Sequence, residues 1–244
     1  MKKPIVTSIF LFFALSTSFG QSQRVVDMSS GSSLGRIQSS TNRPGNLLIP
    51  VNHLRLKTVN TAEMTEEEIK LDKKKYLSYS YDLASVDDYD TKAYIRYNIF
   101  DDQMEFVKEE SIYYLAKEAG RKVRFQNSEL IYRVYDFQND QQFFKVLVDD
   151  THSLIVKQRV RYIDAKVANS GYDIAKSANY KRVKDEYFLA LDNKKLVKLP
   201  RSKKSFFKVF GDNADKIKSY VKENKLGYKK EKDLTKIVAY YNTL

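Results

Sequence analysis

The chain contains no cysteine, no tryptophan, two histidines and eight glycines in 244 residues. Without cysteine there is no disulfide framework, no thiol nucleophile, no cysteine-based zinc site and no lipid-bearing cysteine behind an export signal. Stability must come from core burial alone. The scarcity of glycine leaves few loops able to cradle a phosphate, and no Walker-type, H-x-E or H-E-x-x-H run is present. Long apolar runs are missing too, with one exception. Residues Ile5 to Phe19 are mostly apolar, follow Lys2 and Lys3, and end in Ser18-Phe19-Gly20. A basic start, a short hydrophobic stretch and small residues at −3 and −1 read as a secretory signal peptide over 1–20, removed near Gly20–Gln21. The stretch is too short for a bilayer span, and no transmembrane segment remains after its removal. The expected location is exported, periplasmic or extracellular.

What is present allows a folded core. Hydrophobic residues make up 42% of the chain, aromatics 13% and charged residues 30%, a balance unlike that of a disordered protein. The mature chain of about 224 residues has room for one large or two small domains. The 43 basic residues less Lys2 and Lys3 leave 41 against 31 acidic ones, a net charge of +10. Such an excess favours polyanionic surfaces. In an exported chain nucleic acid is not the expected partner, and the lysines are expected to keep a β surface soluble and to block edge pairing.

Residues 21–50 are Ser-, Gly- and Asn-rich and read as a flexible leader, with Leu47–Val51 as a short anchoring segment. Thr65–Lys70 fits one turn of helix or a solvated loop. From Tyr76 the apolar period is two. In Tyr76–Leu83 the face Leu77, Tyr79, Tyr81, Leu83 opposes Ser78, Ser80 and Asp82, which predicts a half-buried strand. Further strands are predicted at 93–100, 104–108, 122–126, 130–137, 143–148 and 154–163. A last hairpin, 186–191 with 195–199, turns at Asp192-Asn193, and 169–179 reads as a loop or excursion. Short linkers argue for an antiparallel meander. After Pro200 the period becomes 3.6. Helices are predicted at 203–210, capped by Ser202, at 214–225, capped by Asp212 or Asn213 and closed by Gly227, and at 230–241. The last two form a hairpin whose apolar stripes need cover from each other or from the sheet. An outer-membrane barrel is rejected: the chain ends in an amphipathic helix, and Arg96, Lys145 and Arg161 put charges on both strand faces. The fold class is therefore α+β, an antiparallel sheet or partly open barrel over 51–200 followed by C-terminal helices over 201–244.

No catalytic, cofactor-binding or metal-binding residue is assigned. His53 follows the leader. His152 lies in Asp149-Asp150-Thr151-His152, where a solvated turn outweighs a catalytic triad. Carboxylates cluster at Asp87-Asp88-Tyr89-Asp90 and at Asp101, Asp102 and Glu105. Without EF-hand spacing, these read as turns between strands, with metal binding as the first exception. The 18 tyrosines and 14 phenylalanines are the one unusual enrichment. They are expected to fill the inward face of a sheet, with a ligand cleft or sugar-stacking face as the alternative. Eight lysines between Lys216 and Lys236, partly offset by Asp215, Glu223, Glu231 and Asp233, read as a solvated helical face.

Two segments carry a resemblance. Arg96-Tyr97-Asn98-Ile99-Phe100-Asp101-Asp102-Gln103-Met104-Glu105-Phe106 is similar to a strand–turn–strand signature, R-Y-N-x-x-x-D-x-M-E-F, found in uncharacterised secreted β-meander proteins of Gram-negative bacteria. The ending resembles theirs as well: Lys203–Phe207, Ile217–Asn224, Glu231–Leu234 and Tyr240-Tyr241-Asn242. The resemblance spans Tyr76 to Leu244 and implies fold and export but no activity. In the signature, Asp101-Asp102 is expected to make the turn, while Ile95, Tyr97, Ile99, Met104 and Phe106 point inward.

The sequence thus leads to a non-enzymatic exported envelope protein, an interaction or structural module with another envelope protein as partner. The alternative is a carrier holding a lipid or other apolar ligand in a Tyr/Phe-lined cleft. A hydrolase built on Asp or Glu would need two of these carboxylates to converge in one pocket.

Overall fold

Period-two alternation over most of the chain becomes β-structure in a computed structural model, which describes residues 54–57, 64–87, 92–108, 111–168 and 173–244. The predicted signal peptide, the leader, the segment Leu47–Val51, His53 and Asp88-Tyr89-Asp90 lie outside these residues. The described strands are β1 (Leu54–Lys57), β2 (Asp82–Val86), β3 (Lys92–Asn98), β4 (Gln103–Lys108), β5 (Ser111–Leu115), β6 (Lys122–Phe125), β7 (Ile131–Phe137), β8 (Asp140–Val148), β9 (Ser153–Lys157), β10 (Val160–Ile163), β11 (Asn179–Arg182), β12 (Glu186–Leu191) and β13 (Lys195–Lys198). Eleven of them form one sheet in the order β1-β5-β4-β3-β2-β6-β7-β8-β9-β12-β13, and every pairing in it is antiparallel. The sheet is open. Strands β10 and β11 pair only with each other.

The α+β class, the antiparallel sheet and the late helices agree with the sequence; the strand order departs from a simple up-and-down run at β1, which pairs with β5, and at β6. The run β2 to β5 is laid down stepwise away from β2, and β6 then returns to the other side of β2. The curl of the sheet makes this jump short, because residues of β3 and β4 share one core with β6, β7 and β8. Tyr97 meets Tyr132 with ring centroids 4.9 Å apart, and Phe143 at 6.0 Å. Strand β9 is buried along its whole length. A strand covered on both faces reads as a continuous apolar run, and Leu154-Ile155-Val156 is one.

Hairpin turns follow local chemistry. Gln138 and Asn139 between β7 and β8, and Asp192 and Asn193 between β12 and β13, all have positive φ. Two-residue turns that match the strand twist need that conformation, which Asn and Asp tolerate best.

Among the described residues four helices accompany the sheet: α1 (Glu66–Asp72), α2 (Lys203–Lys208), α3 (Ala214–Glu223) and α4 (Glu231–Tyr241). Thr65 and Glu68 form a reciprocal capping box at the start of α1. Ser202 caps α2 as predicted, but Asn213 makes no side-chain cap, because a tight turn over Gly211–Asn213 leads straight into α3. Helices α2, α3 and α4 bury Phe206, Phe207, Ile217, Val221, Leu234, Ile237 and Val238 in one cluster with Leu154 and Leu189 of the sheet. Tyr220 of α3 stacks on Tyr240 of α4 at 4.0 Å. The hairpin stripes therefore cover each other and the sheet together, while the lysines between Lys216 and Lys236 are exposed.

The end of α3 differs from the expected glycine cap. Lys225, not Gly227, takes the left-handed conformation, at φ 53°. Leu226 N–H then donates to Val221 C=O at 2.9 Å and Lys225 N–H to Lys222 C=O at 3.2 Å, a Schellman ending. Gly227 is needed for a close approach instead: its N–H donates to Asp233 at 3.0 Å, and an added Cβ would stand 3.0 Å from the same carboxylate. Lys225→Gly relieves the left-handed strain and is expected to raise stability by about 0.5–1 kcal/mol in urea unfolding, net of glycine's extra unfolded-state freedom. A lower midpoint would contradict this account of the helix end.

Two predicted strands are broken. Leu154–Ile163 divides at Gln158-Arg159, where Gln158 turns inward to accept from the Tyr132 hydroxyl at 2.7 Å. Tyr76–Tyr81 is not a strand at all. Only Tyr76 bridges to Asn98, and the ladder starts at Asp82.

Candidate functional site

Alternation along the signature sends its core residues and its polar residues to opposite faces of the β3–β4 hairpin. Ile95 stands opposite Phe106 and Tyr97 opposite Met104; Arg96 stands opposite Glu105 and Asn98 opposite Gln103. The first set is core, and with Ile99 it is at most 3% exposed, as the sequence predicts. On the second face, Glu105 is fully buried and Arg96 nearly so. The Arg96 guanidinium reaches Glu105 Oε2 through Nε at 2.9 Å and Nη2 at 2.8 Å. Asn98 donates to Glu105 Oε1 at 3.2 Å and the Tyr76 hydroxyl stands 3.3 Å from Oε2.

The segment Tyr76–Tyr81 provides the lid of this site. Its three tyrosine rings surround the guanidinium, with centroids 4.2 Å (Tyr76), 4.9 Å (Tyr79) and 4.6 Å (Tyr81) from Arg96 Cζ. Arg96 Nη1 also donates to the Tyr79 carbonyl at 3.3 Å. Covering a cation with three π-faces while it holds a carboxylate outweighs a few ladder hydrogen bonds, which is why the period-two pattern fails here. Burial, then the Glu105 charge, pushes the Tyr76 hydroxyl well above the usual tyrosine range and the Tyr114 hydroxyl up to about 12. Tyr76 and Tyr114 therefore stay neutral at physiological pH.

Asp102, in the turn of the same hairpin, faces a different set of partners. It accepts from the Tyr97 hydroxyl at 2.6 Å, Lys157 at 2.9 Å, Lys117 at 2.8 Å and the Phe143 N–H at 3.2 Å. Lys157 is 4% exposed at its side chain and also donates to the Phe143 carbonyl at 3.1 Å. Its burial outweighs the attraction of Asp102 and holds the amine below its ordinary value. Asp101 is tied to Asn98 at 2.8 Å and completes the turn. Of the carboxylates at Asp101, Asp102 and Glu105, Asp101 and Glu105 share Asn98 Nδ2 as a donor, whereas Asp102 is held by the separate set of Tyr97, Lys117, Lys157 and the Phe143 N–H. Among the described residues no group of three or more His, Asp or Glu is placed to hold a metal.

His152 closes a turn whose Asp149, Asp150 and Thr151 are exposed, as expected, but its own ring is half-buried. It stacks on Tyr241 at 4.9 Å, and its Nδ1 accepts from the Asp192 N–H at 3.2 Å. Asn242 brackets its backbone, accepting from the N–H at 2.8 Å and donating to the carbonyl at 2.9 Å. Asp149 belongs to Lys122 and Arg133, both at 2.8 Å. Burial alone would raise that carboxyl, but the Lys122 hydrogen bond and the surrounding cations hold it below the ordinary range. These contacts fasten the β8–β9 turn to the end of α4.

Two clefts flank the hairpin. The larger, of about 740 Å³, has polar walls including Gln103, Lys117, Asp136, Asn139 and Asp140. The smaller, of about 370 Å³, is lined by Leu77, Tyr81, Ile95, Phe125 and Leu130 beside Arg96.

Sequence reasoning did not find Lys117 and Lys157 as partners of Asp102, nor the tyrosine lid over Arg96. The only available signal was the pairing of Arg96 and Glu105 at facing positions of the hairpin. It also passed over Gly31-Ser32-Ser33-Leu34-Gly35, which spells G-x-S-x-G. That motif carries chemistry only on a strand–turn–helix, and the run lies in the Ser/Gly-rich leader, outside the described residues. Comparison of the chain with protein-family models, with curated proteins and with solved structures yields no match.

Proposed function

We propose that the protein is an exported, non-enzymatic interaction or structural module of the cell envelope. The observation that carries this reading is a filled sheet interior. Tyr97, Tyr132, Phe106 and Phe143 are at most 2% exposed and share one core cluster, with Tyr97 packed on Tyr132 and Phe143, where a carrier would need a cavity. The way Glu105 and Asp102 are taken up by cations supports the same reading, since a proton-transferring carboxyl needs a reachable substrate. Export rests on the basic start and short apolar run of residues 2–19.

A carrier is the second reading, favoured by one observation. The smaller cleft has Tyr, Phe, Ile and Leu in its walls, and its volume reaches the lower end of small-molecule sites, about 300–1,000 Å³.

Native mass spectrometry of the protein, purified gently from its own cell envelope, distinguishes the two. The expected result is a bare chain, or one carrying a second protein, with an intact mass that begins near Gln21. A reproducible extra mass of small-molecule size, lost on denaturation, would replace the module with the carrier. A mass that still includes residues 1–20 would overturn export by signal cleavage.

A further inference from the structure

After Pro200 the charge of the chain becomes one-sided. Residues 201–236 carry twelve basic side chains, eleven of them lysine, against five acidic ones, so +7 of the chain's net +12 lies in this stretch. All twelve cations are exposed, and among the described residues none of them forms an ion pair. The sheet behaves differently. Its Lys117, Lys122, Arg133, Lys145 and Lys157 each hold a carboxylate at 3.0 Å or less. Two of the five acids are moreover occupied from within, Glu231 by Lys145 and Asp233 by the Gly227 N–H, both at 3.0 Å.

Each helix repeats one placement. Lys204 and Lys208 on α2, Lys218 and Lys222 on α3, and Lys232 and Lys236 on α4 stand four residues apart, where side chains are neighbours and like charges repel. Phe206, Ile217 and Leu234 hold the inner faces of the three helices in one core with the sheet, which leaves these pairs on the solvent side of one layer. Three like-charge pairs weaken the helices that carry them and contribute nothing to the core. After Pro200 the only exposed large apolar side chain is that of Leu244. The layer therefore offers neither an apolar wedge nor an exposed ring.

We propose that the α2–α4 layer is an electrostatic docking face for an anionic phospholipid bilayer, with its lysines at the headgroup phosphates and no side chain inserted. Charge complementarity selects an anionic occupant, and the kind of cation selects which one. Lysine is a compact point charge suited to a diffuse field of phosphates, whereas nucleic acids are read by arginine forks and by rings that stack on bases. Lysine is also depleted at protein–protein contacts, which disfavours an acidic protein. Juxtaposed lysines on a surface that stays outside the acyl region add their attractions within a Debye length of the headgroups. The inference names a partner for the envelope module and rests on that reading only for a bilayer being within reach. The mature mass tests export and vesicle binding tests the face, so either can fail alone.

The experiment is flotation of the purified protein on vesicles of equal parts phosphatidylglycerol and phosphatidylcholine, with pure phosphatidylcholine as the neutral surface. Binding is expected on the first and not on the second. Lys218→Gln with Lys222→Gln, or Lys232→Gln with Lys236→Gln, should each weaken it on the order of twentyfold, at roughly fivefold per lysine. Arg161→Gln with Lys181→Gln removes the same charge from a facing, exposed pair on the β10–β11 ribbon and should leave binding nearly unchanged. A melting temperature that is unchanged or higher verifies the fold of each variant, since the helical changes relieve repulsion. About 1 M salt, which screens charges beyond roughly 3 Å, should release the protein completely. Binding that survives this salt would mean insertion and would overturn the proposal. A ribbon pair that matters as much as a helical pair would overturn it too, by making net charge and not this face the cause. Equal binding to both vesicle types, no binding, or equal affinity for double-stranded DNA at the same salt would each overturn the assignment to a bilayer.

Discussion

Arg96→Met is expected to lower stability by about 3–5 kcal/mol, read as a shift of the urea midpoint at unchanged slope. The size of the effect comes from what remains. Glu105 has 0% side-chain exposure and stands directly across the hairpin from Arg96. Removing the guanidinium leaves a carboxylate in the interior, stripped of two hydrogen bonds and of the Arg96 charge. It also empties the space between the rings of Tyr76, Tyr79 and Tyr81. Glu105→Met should cost a comparable amount, because it isolates the cation. The two changes together are expected to cost less than either alone, since an apolar pair of similar volume carries no desolvation penalty. Arg96→Lys should recover only part of the loss, since an ammonium can neither reach one oxygen through two nitrogens nor lie flat against three rings. If the single variants cost less than about 1 kcal/mol, the pair is a solvated surface contact and the lid is not closed.

Asp102→Asn is the second large effect, and its signature is a dependence on pH. Asparagine keeps the shape of the turn and tolerates the left-handed backbone at this position, φ 53°, so what is lost is charge. Lys157 then keeps the Phe143 carbonyl and the ring of Phe144, 5.2 Å away, but no anion. A cost of about 3–5 kcal/mol at neutral pH is expected. The Lys157 amine is already held below its ordinary value of 10.5 by burial, and loss of Asp102 lowers it further. A basic group with a depressed folded-state pKa imposes its full cost while charged in both states, below the folded value. That cost is relieved as pH rises through the folded value toward 10.5. The variant should therefore gain stability relative to the unsubstituted protein as pH rises toward 10.5. The other groups around Asp102 are Lys117 and Tyr97, and Tyr97, its hydroxyl pushed up first by burial, stays protonated through that window. Adding Lys157→Met should abolish the slope. A cost that stays flat from neutral to alkaline pH would show that Lys157 is not the group left stranded.

Both predictions concern residues of one eleven-residue signature, and they show how far a sequence can be read. Alternation alone placed Ile95, Tyr97, Met104 and Phe106 inward and Asp101-Asp102 in the turn, because strand periodicity and turn propensity are local properties. The same alternation placed Arg96 and Glu105 on the outer face, where solvent was the natural expectation. They are buried because Tyr76–Tyr81 lies over them, and nothing in that segment's own pattern distinguishes a lid from a strand. Its tyrosines and serines alternate as a strand's would. Asp102 is a stronger case. Its partners Lys117 and Lys157 lie 15 and 55 residues away, separations at which no local rule operates.

By itself, the sequence determined the class of the fold, the order of most elements, the turn at Asp192-Asn193 and the apolar stripes that bring the C-terminal helices to the sheet. These follow from periods of two and 3.6 and from the conformational tastes of single residues. Only the tertiary structure decided that β6 returns to β2, that Gln158 breaks a strand to meet Tyr132, that Lys225 and not Gly227 ends α3, and that β10 and β11 form a ribbon separate from the main sheet. Each of these was settled by a competition between a local preference and a distant contact. The distant contact won wherever burying a ring or satisfying a buried charge was worth more than a few ladder hydrogen bonds or a fraction of a kilocalorie of backbone strain.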